Sequence, residues 1–246
     1  MTVVVTGGSR GIGGAIVEKF AAAGWDVAFT YVSREDAARD RVKEVQQSFP
    51  QRKVRAYRLD LADHGAIDSF AEAVIEDFEN VDALVNNAAT VDDGPAVTMS
   101  DESWNEVLNI NLSGPFYLTR AFLMHFLSNR FGRVVFISSL AQYGSSGQVN
   151  YAAAKAGLSG VSLTLAKEYG RKGITSNVVT VGLVPTEMSG EGVPASSLEF
   201  WNRHCPAGRV GTGEEVASAV LYLCRPEAGF VNGENVRVSG GLTYAP

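Results

Sequence analysis

Thr6-Gly7-Gly8-Ser9-Arg10-Gly11-Ile12-Gly13 joins a short apolar run, residues 2–6, to an amphipathic stretch, residues 12–23. A strand that turns on glycines directly into a helix opens a parallel α/β unit. The spacing is not the GxGxxG of the common dinucleotide fingerprint, but the physics is shared. Positions without a side chain let the backbone approach a pyrophosphate, and a helix N-terminus offers free N–H groups and partial positive charge. Gly7, Ser9, Arg10, Gly11, Ile12 and Gly13 are the candidate phosphate-binding residues. A glycine turn of this kind can equally be structural.

The same alternation runs outward to the end of the chain. Short runs rich in Val, Ile or Leu at 26–31, 53–58, 81–85, 133–138, 175–181 and 235–238 read as strands. Helical patterns lie between them at 34–48, 65–78, 101–129, 150–170 and 213–223. No linker interrupts them, so the expected architecture is one domain over 1–246. Its fold class is α/β, a Rossmann-type doubly wound parallel sheet of about seven strands with helices on both faces. Residues 186–205 break the rhythm with Ser, Gly, Glu and Pro and are the expected substrate lid, or else a surface loop with a short helix.

Composition narrows the function classes. A formal net charge of −6 argues against nucleic acid or an anionic membrane as the main partner. Cys205 and Cys224 form neither a CxxC pair nor a Cys/His cluster, so they read as reduced thiols, and no metal site is expected. His64, His125 and His204 are scattered and read as surface or capping residues. The N-terminus has no basic leader, which makes a cytoplasmic location the expectation.

The end of the second strand distinguishes the two nicotinamide cofactors. A carboxylate there would bond the ribose hydroxyls of NAD and repel a 2′-phosphate, but the chain reads Tyr31-Val32-Ser33-Arg34. Arg10 and Arg34 supply positive charge and Ser33 a hydroxyl, so NADPH is expected. The alternative is that both arginines are merely solvated.

Nearly the whole chain resembles the short-chain dehydrogenase/reductase family. The matching pieces are the glycine turn, Asp60-Leu61, Asn86-Asn87-Ala88-Ala89, Asn111-Leu112-Ser113-Gly114, Ser138-Ser139 and Tyr151-Ala152-Ala153-Ala154-Lys155. Within that family, residues 147–158 and 206–209 resemble the 3-oxoacyl-carrier-protein reductases. The resemblance implies Tyr151 as acid, Lys155 on the cofactor ribose, and Asn111 holding a proton-relay water. It also implies Asp60 and Leu61 at the adenine, Asn87 and Ala88 at the ribose, and Val184 and Thr186 at the carboxamide.

The residues support that chemistry. Tyr151 and Lys155 are four apart and share a helix face. A nearby ammonium favours phenolate and is expected to lower the phenol's pKa from about 10. A serine should bond the developing oxyanion. Counting along the strand gives Ser139, and counting back from Tyr151 gives Ser138. Strand register favours Ser139, because a loop tolerates a deletion and a slipped strand reverses its side chains.

Two departures from the family pattern are Ala89, where Gly is usual, and Val181-Gly182, where Pro-Gly is usual. The resemblance further implies a homotetramer built on the fourth and fifth helices, through residues such as Phe116, Tyr117, Leu118, Phe122 and Phe126. It also implies docking of an acidic acyl carrier protein at Arg130 and Lys172. Reduction of a carrier-bound 3-oxoacyl thioester is the leading reading. The others are a free ketone or alcohol, or a catalytically silent NADP-binding regulator.

Overall fold

The computed structural model describes residues 1–185 and 195–243. Seven strands, β1 (Thr2–Val5), β2 (Asp26–Tyr31), β3 (Val54–Arg58), β4 (Ala83–Asn86), β5 (Gly132–Ser139), β6 (Ile174–Val181) and β7 (Asn235–Val238), form one sheet. Its order is β3-β2-β1-β4-β5-β6-β7 and every neighbouring pair is parallel. The expected strands all form, with ends moved by at most two residues.

Both faces of the sheet are covered, which is why Val3, Val4 and Val5 of β1 are apolar in succession instead of alternating. Val3 and Val5 face α1 (Gly11–Ala22) and α8 (Gly213–Cys224), packing with Ile16, Phe20, Val216 and Val220. Val4 points the other way, with Leu84 and Phe136, into α3 (His64–Phe78), α5 (Gly114–Asn129) and α6 (Val149–Tyr169). Burying one such side chain stabilises by about 1.5–3 kcal/mol. α2 (Glu35–Ser48) completes the first face beside β2 and β3.

The expected single helix over 101–129 is three pieces. α4 (Asp101–Leu108) starts at Ser100, whose side chain accepts from Ser103 N, and passes into a π-helical turn at Asn109–Ser113 before α5 begins. The cause lies in Pro115, which has no N–H to donate to the Asn111 carbonyl as an α-helix requires. The chain widens by one residue per turn there, and such bulges concentrate at functional sites.

His125 takes a capping role in the lower part of the sheet, accepting from Val81 N at 3.0 Å. His64 sits edge-on to Tyr117, and His204 lies against Phe200. Cys205 and Cys224 are buried and unpaired. Among the described residues, no helix is long and apolar enough to cross a membrane, and no group of His, Cys, Asp or Glu is placed to hold a metal.

β2 lies on one side of β1 and β4 on the other, so the strand order reverses at β1. The crevice outside the carboxyl ends of such strands is where this fold binds ligands.

Candidate active site

The turn after β1 has the conformation that glycine permits. Gly7 and Gly11 have φ of 66° and 56°. A side chain at Gly13 would put its Cβ 2.1 Å from the Gly7 carbonyl oxygen and 2.6 Å from Asn87 Nδ2. The free face of this turn is therefore bare backbone at a helix N-terminus, the cradle that a pyrophosphate requires.

Gly13→Ala is expected to destabilise the protein by about 1–3 kcal/mol through overpacking. Gly160 lies exposed within α6 with nothing within 4 Å of an added Cβ. Gly160→Ala should therefore stabilise by about 0.5–1 kcal/mol. Thermal melts of the two variants read out this contrast.

The turn is tied to the end of β4. Thr6 Oγ1 accepts from the backbone N–H groups of Asn87 and Ala88, both at 2.9 Å, and Asn87 Nδ2 donates to Thr6 O at 2.8 Å. One turn of chain further on, fully buried Asn111 spends its side chain on Thr90. Its Oδ1 accepts from Thr90 N at 2.9 Å and its Nδ2 donates to Thr90 O at 2.7 Å.

Tyr151 and Lys155 lie on α6 beside the end of β5. Lys155 is buried, with Nζ donating to Ile137 O at 2.8 Å and standing 5.6 Å from the centre of the Tyr151 ring. Burial pulls its pKa down to about 8. The expectation for Tyr151 is overturned, since its pKa is pushed up to about 12, first by burial, with the Asp93 charge adding to it. The Lys155 ammonium faces the ring and bonds the Ile137 carbonyl, and it is not among the groups that shift the phenol. The Ser139 side chain pulls the other way.

The two serines differ in their surroundings. Ser138 is buried and its Oγ donates to the Lys155 carbonyl at 3.1 Å. Ser139 Oγ accepts from Ala141 N at 3.2 Å.

A cleft of roughly 460 Å³ joins these parts, running from the glycine turn past Ser33, Arg34 and Asp60 to Tyr151 and Lys155. The volume is that of a small-molecule or cofactor site.

A family model described as enoyl-(acyl carrier protein) reductase matches residues 7–243. The 3-oxoacyl-[acyl-carrier-protein] reductase FabG of Escherichia coli K12 is 38% identical over 240 residues, covering 97% of this chain and 96% of that protein. The chain belongs to the short-chain dehydrogenase/reductase family. The FabG of Aquifex aeolicus is 37% identical over 243 residues, covering 97% and 96% of the two chains. An acetoacetyl-CoA reductase of Rhizobium meliloti is 39% identical over 244 residues, 98% of each.

In this short-chain dehydrogenase/reductase the cleft gathers Gly7, Ser9, Arg10, Gly11, Ile12, Gly13, Ser33, Arg34, Asp60, Leu61, Asn87, Ala88, Tyr151 and Lys155. Asn111, Ser139 and Val184 are not among its lining residues, whereas Ser138 is; the Val184 side chain is buried in the core on the α1 and α8 face. Thr186 lies outside the described residues, as do 186–194 of the expected lid. The rest of that segment forms α7 (Ala195–His204), whose Trp201 packs with Leu140, Cys205 and Leu242. Ala89 and Val181 both line the cleft, and a Cβ at Gly182 would stand 3.0 Å from the Trp201 ring.

Arg130 and Lys172 do not meet the cleft within one chain. They precede β5 and β6, whereas Ser139 ends β5, so the length of that strand, roughly 23 Å, separates them from it.

Thr30, Thr90, Glu106, Ile110 and Ile137 line the cleft without having been singled out in the sequence. For Thr30 the strand-end position was the available signal, and its Oγ1 accepts from Gly7 N at 3.2 Å. Glu106 and Ile110 are one helical turn apart, and only the tertiary fold reveals that this face meets the cleft.

Proposed function

We propose that this chain uses NADPH to reduce the ketone of a 3-oxoacyl thioester, carried on an acyl carrier protein, to a secondary alcohol. The single observation that carries this reading is Tyr151 beside buried Lys155 at one end of a cleft whose other end is a bare glycine turn, with Ser139 at the adjoining end of β5.

The glycine turn and the α1 N-terminus would hold a pyrophosphate, with Arg10, Ser33 and Arg34 at a 2′-phosphate. When bound, NADPH supplies the hydride. Ser139 donates a hydrogen bond to the substrate carbonyl oxygen and stabilises charge developing there. Tyr151, whose high pKa keeps it protonated, gives its proton to that oxygen. Lys155 holds positive charge beside the phenolate that results.

Asn111 would serve a proton relay through its main-chain carbonyl, since its amide is spent on Thr90 and Pro115 cannot bond that carbonyl.

A homotetramer is part of the proposal. Phe116 and Met124 of α5 are exposed and suited to contacts between copies, while Leu118, Phe122 and Phe126 are fully buried core residues. Carrier docking at Arg130 and Lys172 then serves the cleft of a neighbouring copy, because their own cleft is out of reach. Reversing both to Glu is expected to raise KM for a carrier-bound ketoester and to spare small free ketones. Equal effects on both substrates would rule out docking there. A cytoplasmic location completes the reading.

The test is NADPH oxidation with an acetoacetyl group on carrier protein, on CoA and on a short thiol. The expected order of kcat/KM is carrier, then CoA, then thiol. The 39% identity to an acetoacetyl-CoA reductase favours a second reading, reduction of a CoA ester, for which CoA would lead. No turnover with any of the three contradicts both and leaves the silent regulator.

A further inference from the structure

Ser139 sits at the join between β5 and a single 3₁₀ turn, Leu140–Tyr143. Such a turn has poor hydrogen-bond geometry. Gly144 and Gly147 follow it, both in the left-handed region. A hydroxyl that must meet a substrate oxygen needs firmer support, because a misplacement of about 1 Å can cost 10²-fold in rate.

The support is a ring of three side chains. Gln142, in the 3₁₀ turn, donates from Nε2 to Thr180 Oγ1 at 2.6 Å. Thr180 of β6, fully buried, donates to Asn235 Oδ1 of β7 at 2.5 Å. Asn235 closes the ring by donating from Nδ2 to Gln142 Oε1 at 3.3 Å, and it also reaches Ser159 Oγ of α6 at 3.4 Å. Ser159 continues the i, i+4 series of Tyr151 and Lys155, so it stands on the same face of α6.

The ring therefore joins the turn that carries Ser139 to the helix face that carries Tyr151, through two adjacent strands. It lies beside the cleft, which Val181 lines. Thr180 immediately precedes that position.

We propose that Gln142 is a positioning residue: held by Thr180 and Asn235, it sets the Ser139 hydroxyl against Tyr151. The proposal rests on the reading of Ser139 and Tyr151 as the groups that meet the substrate oxygen. It makes the edge strand β7 part of the support of the reacting pair, although none of its residues lines the cleft.

The experiment is a double-mutant cycle on acetoacetyl thioester reduction, with Gln142→Leu and Ser139→Ala made singly and together. Gln142→Leu alone is expected to lower kcat by about tenfold with KM for NADPH unchanged. In the Ser139→Ala background the same substitution should change kcat by less than about twofold, because the hydroxyl it positions is gone.

Asn235→Ala removes an exposed edge residue's contacts and leaves Gln142 with Thr180. It should give a smaller fall with the same dependence on Ser139, and it keeps the test decisive where Gln142→Leu fails to fold. Gln142→Glu keeps the acceptor for Asn235 but loses the N–H given to Thr180, so it should recover only part of the lost kcat.

Equal losses with and without Ser139, or a fall in melting temperature with kcat unchanged, overturn the positioning role and leave a structural one. If Ser139→Ala itself leaves kcat unchanged, the reading of Ser139 fails, which is a separate result from additivity.

Discussion

Tyr151→Phe is expected to lower kcat for ketone reduction by about 10²–10⁴-fold, the usual contribution of a general acid. The ring stays, and with it the packing beside Lys155 Nζ. Only the group that gives the proton is lost. Melting temperature and KM for NADPH should hardly move, so a steady-state assay and a thermal melt separate this from a folding defect. A loss below tenfold would mean that the proton comes from elsewhere.

The pH dependence follows from the neighbouring lysine. Burial holds Lys155 near 8, below its unfolded value of about 10.5. Its positive charge, which offsets the phenolate formed as Tyr151 gives up its proton, is lost as pH rises through about 8. kcat should fall along that limb. Stability changes the other way. Between the two pKa values the unfolded chain holds more protons on this group, so its contribution to stability rises with pH across that window and is smallest below about 8.

The second large effect concerns the cofactor. Arg10→Ala with Arg34→Ala is expected to raise KM for NADPH by about 10²–10⁴-fold, since each charge-assisted bond to phosphate contributes about 1.5–3 kcal/mol. KM for NADH should change little, because no 2′-phosphate is lost. Both side chains line the cleft with Ser33, and no carboxylate precedes Glu35 on this segment. Equal increases for NADPH and NADH would place the arginines at a shared part of the two cofactors.

The sheet was legible because each strand is a short apolar run closed by a turn, and burial on both faces keeps those runs apolar. The glycine turn was legible because Gly7, Gly11 and Gly13 are required by backbone angles and by space, both of which act on residue type. The break in the long helix was missed even though its cause, Pro115, is in the sequence. A proline near a helix start is tolerated, and nothing local says that a new start follows Ser113.

The direction of the Tyr151 pKa was misread because spacing on a helix gives proximity but not burial, and here burial is the largest cause. The Gln142 ring could not be read at all. Its members lie 38 and 55 residues apart along the chain and meet only through strand register.

The most direct measurement uses NADPH deuterated at the transferable position of the nicotinamide ring. A 3-oxoacyl thioester is reduced in a single turnover and the product is weighed by mass spectrometry. The expected product is a 3-hydroxyacyl thioester carrying one deuterium on the carbinol carbon, formed by the wild type and at least 10²-fold more slowly by Tyr151→Phe. A product without deuterium, or no product from the wild type while NADPH still binds, would contradict a carbonyl reduction centred on Tyr151.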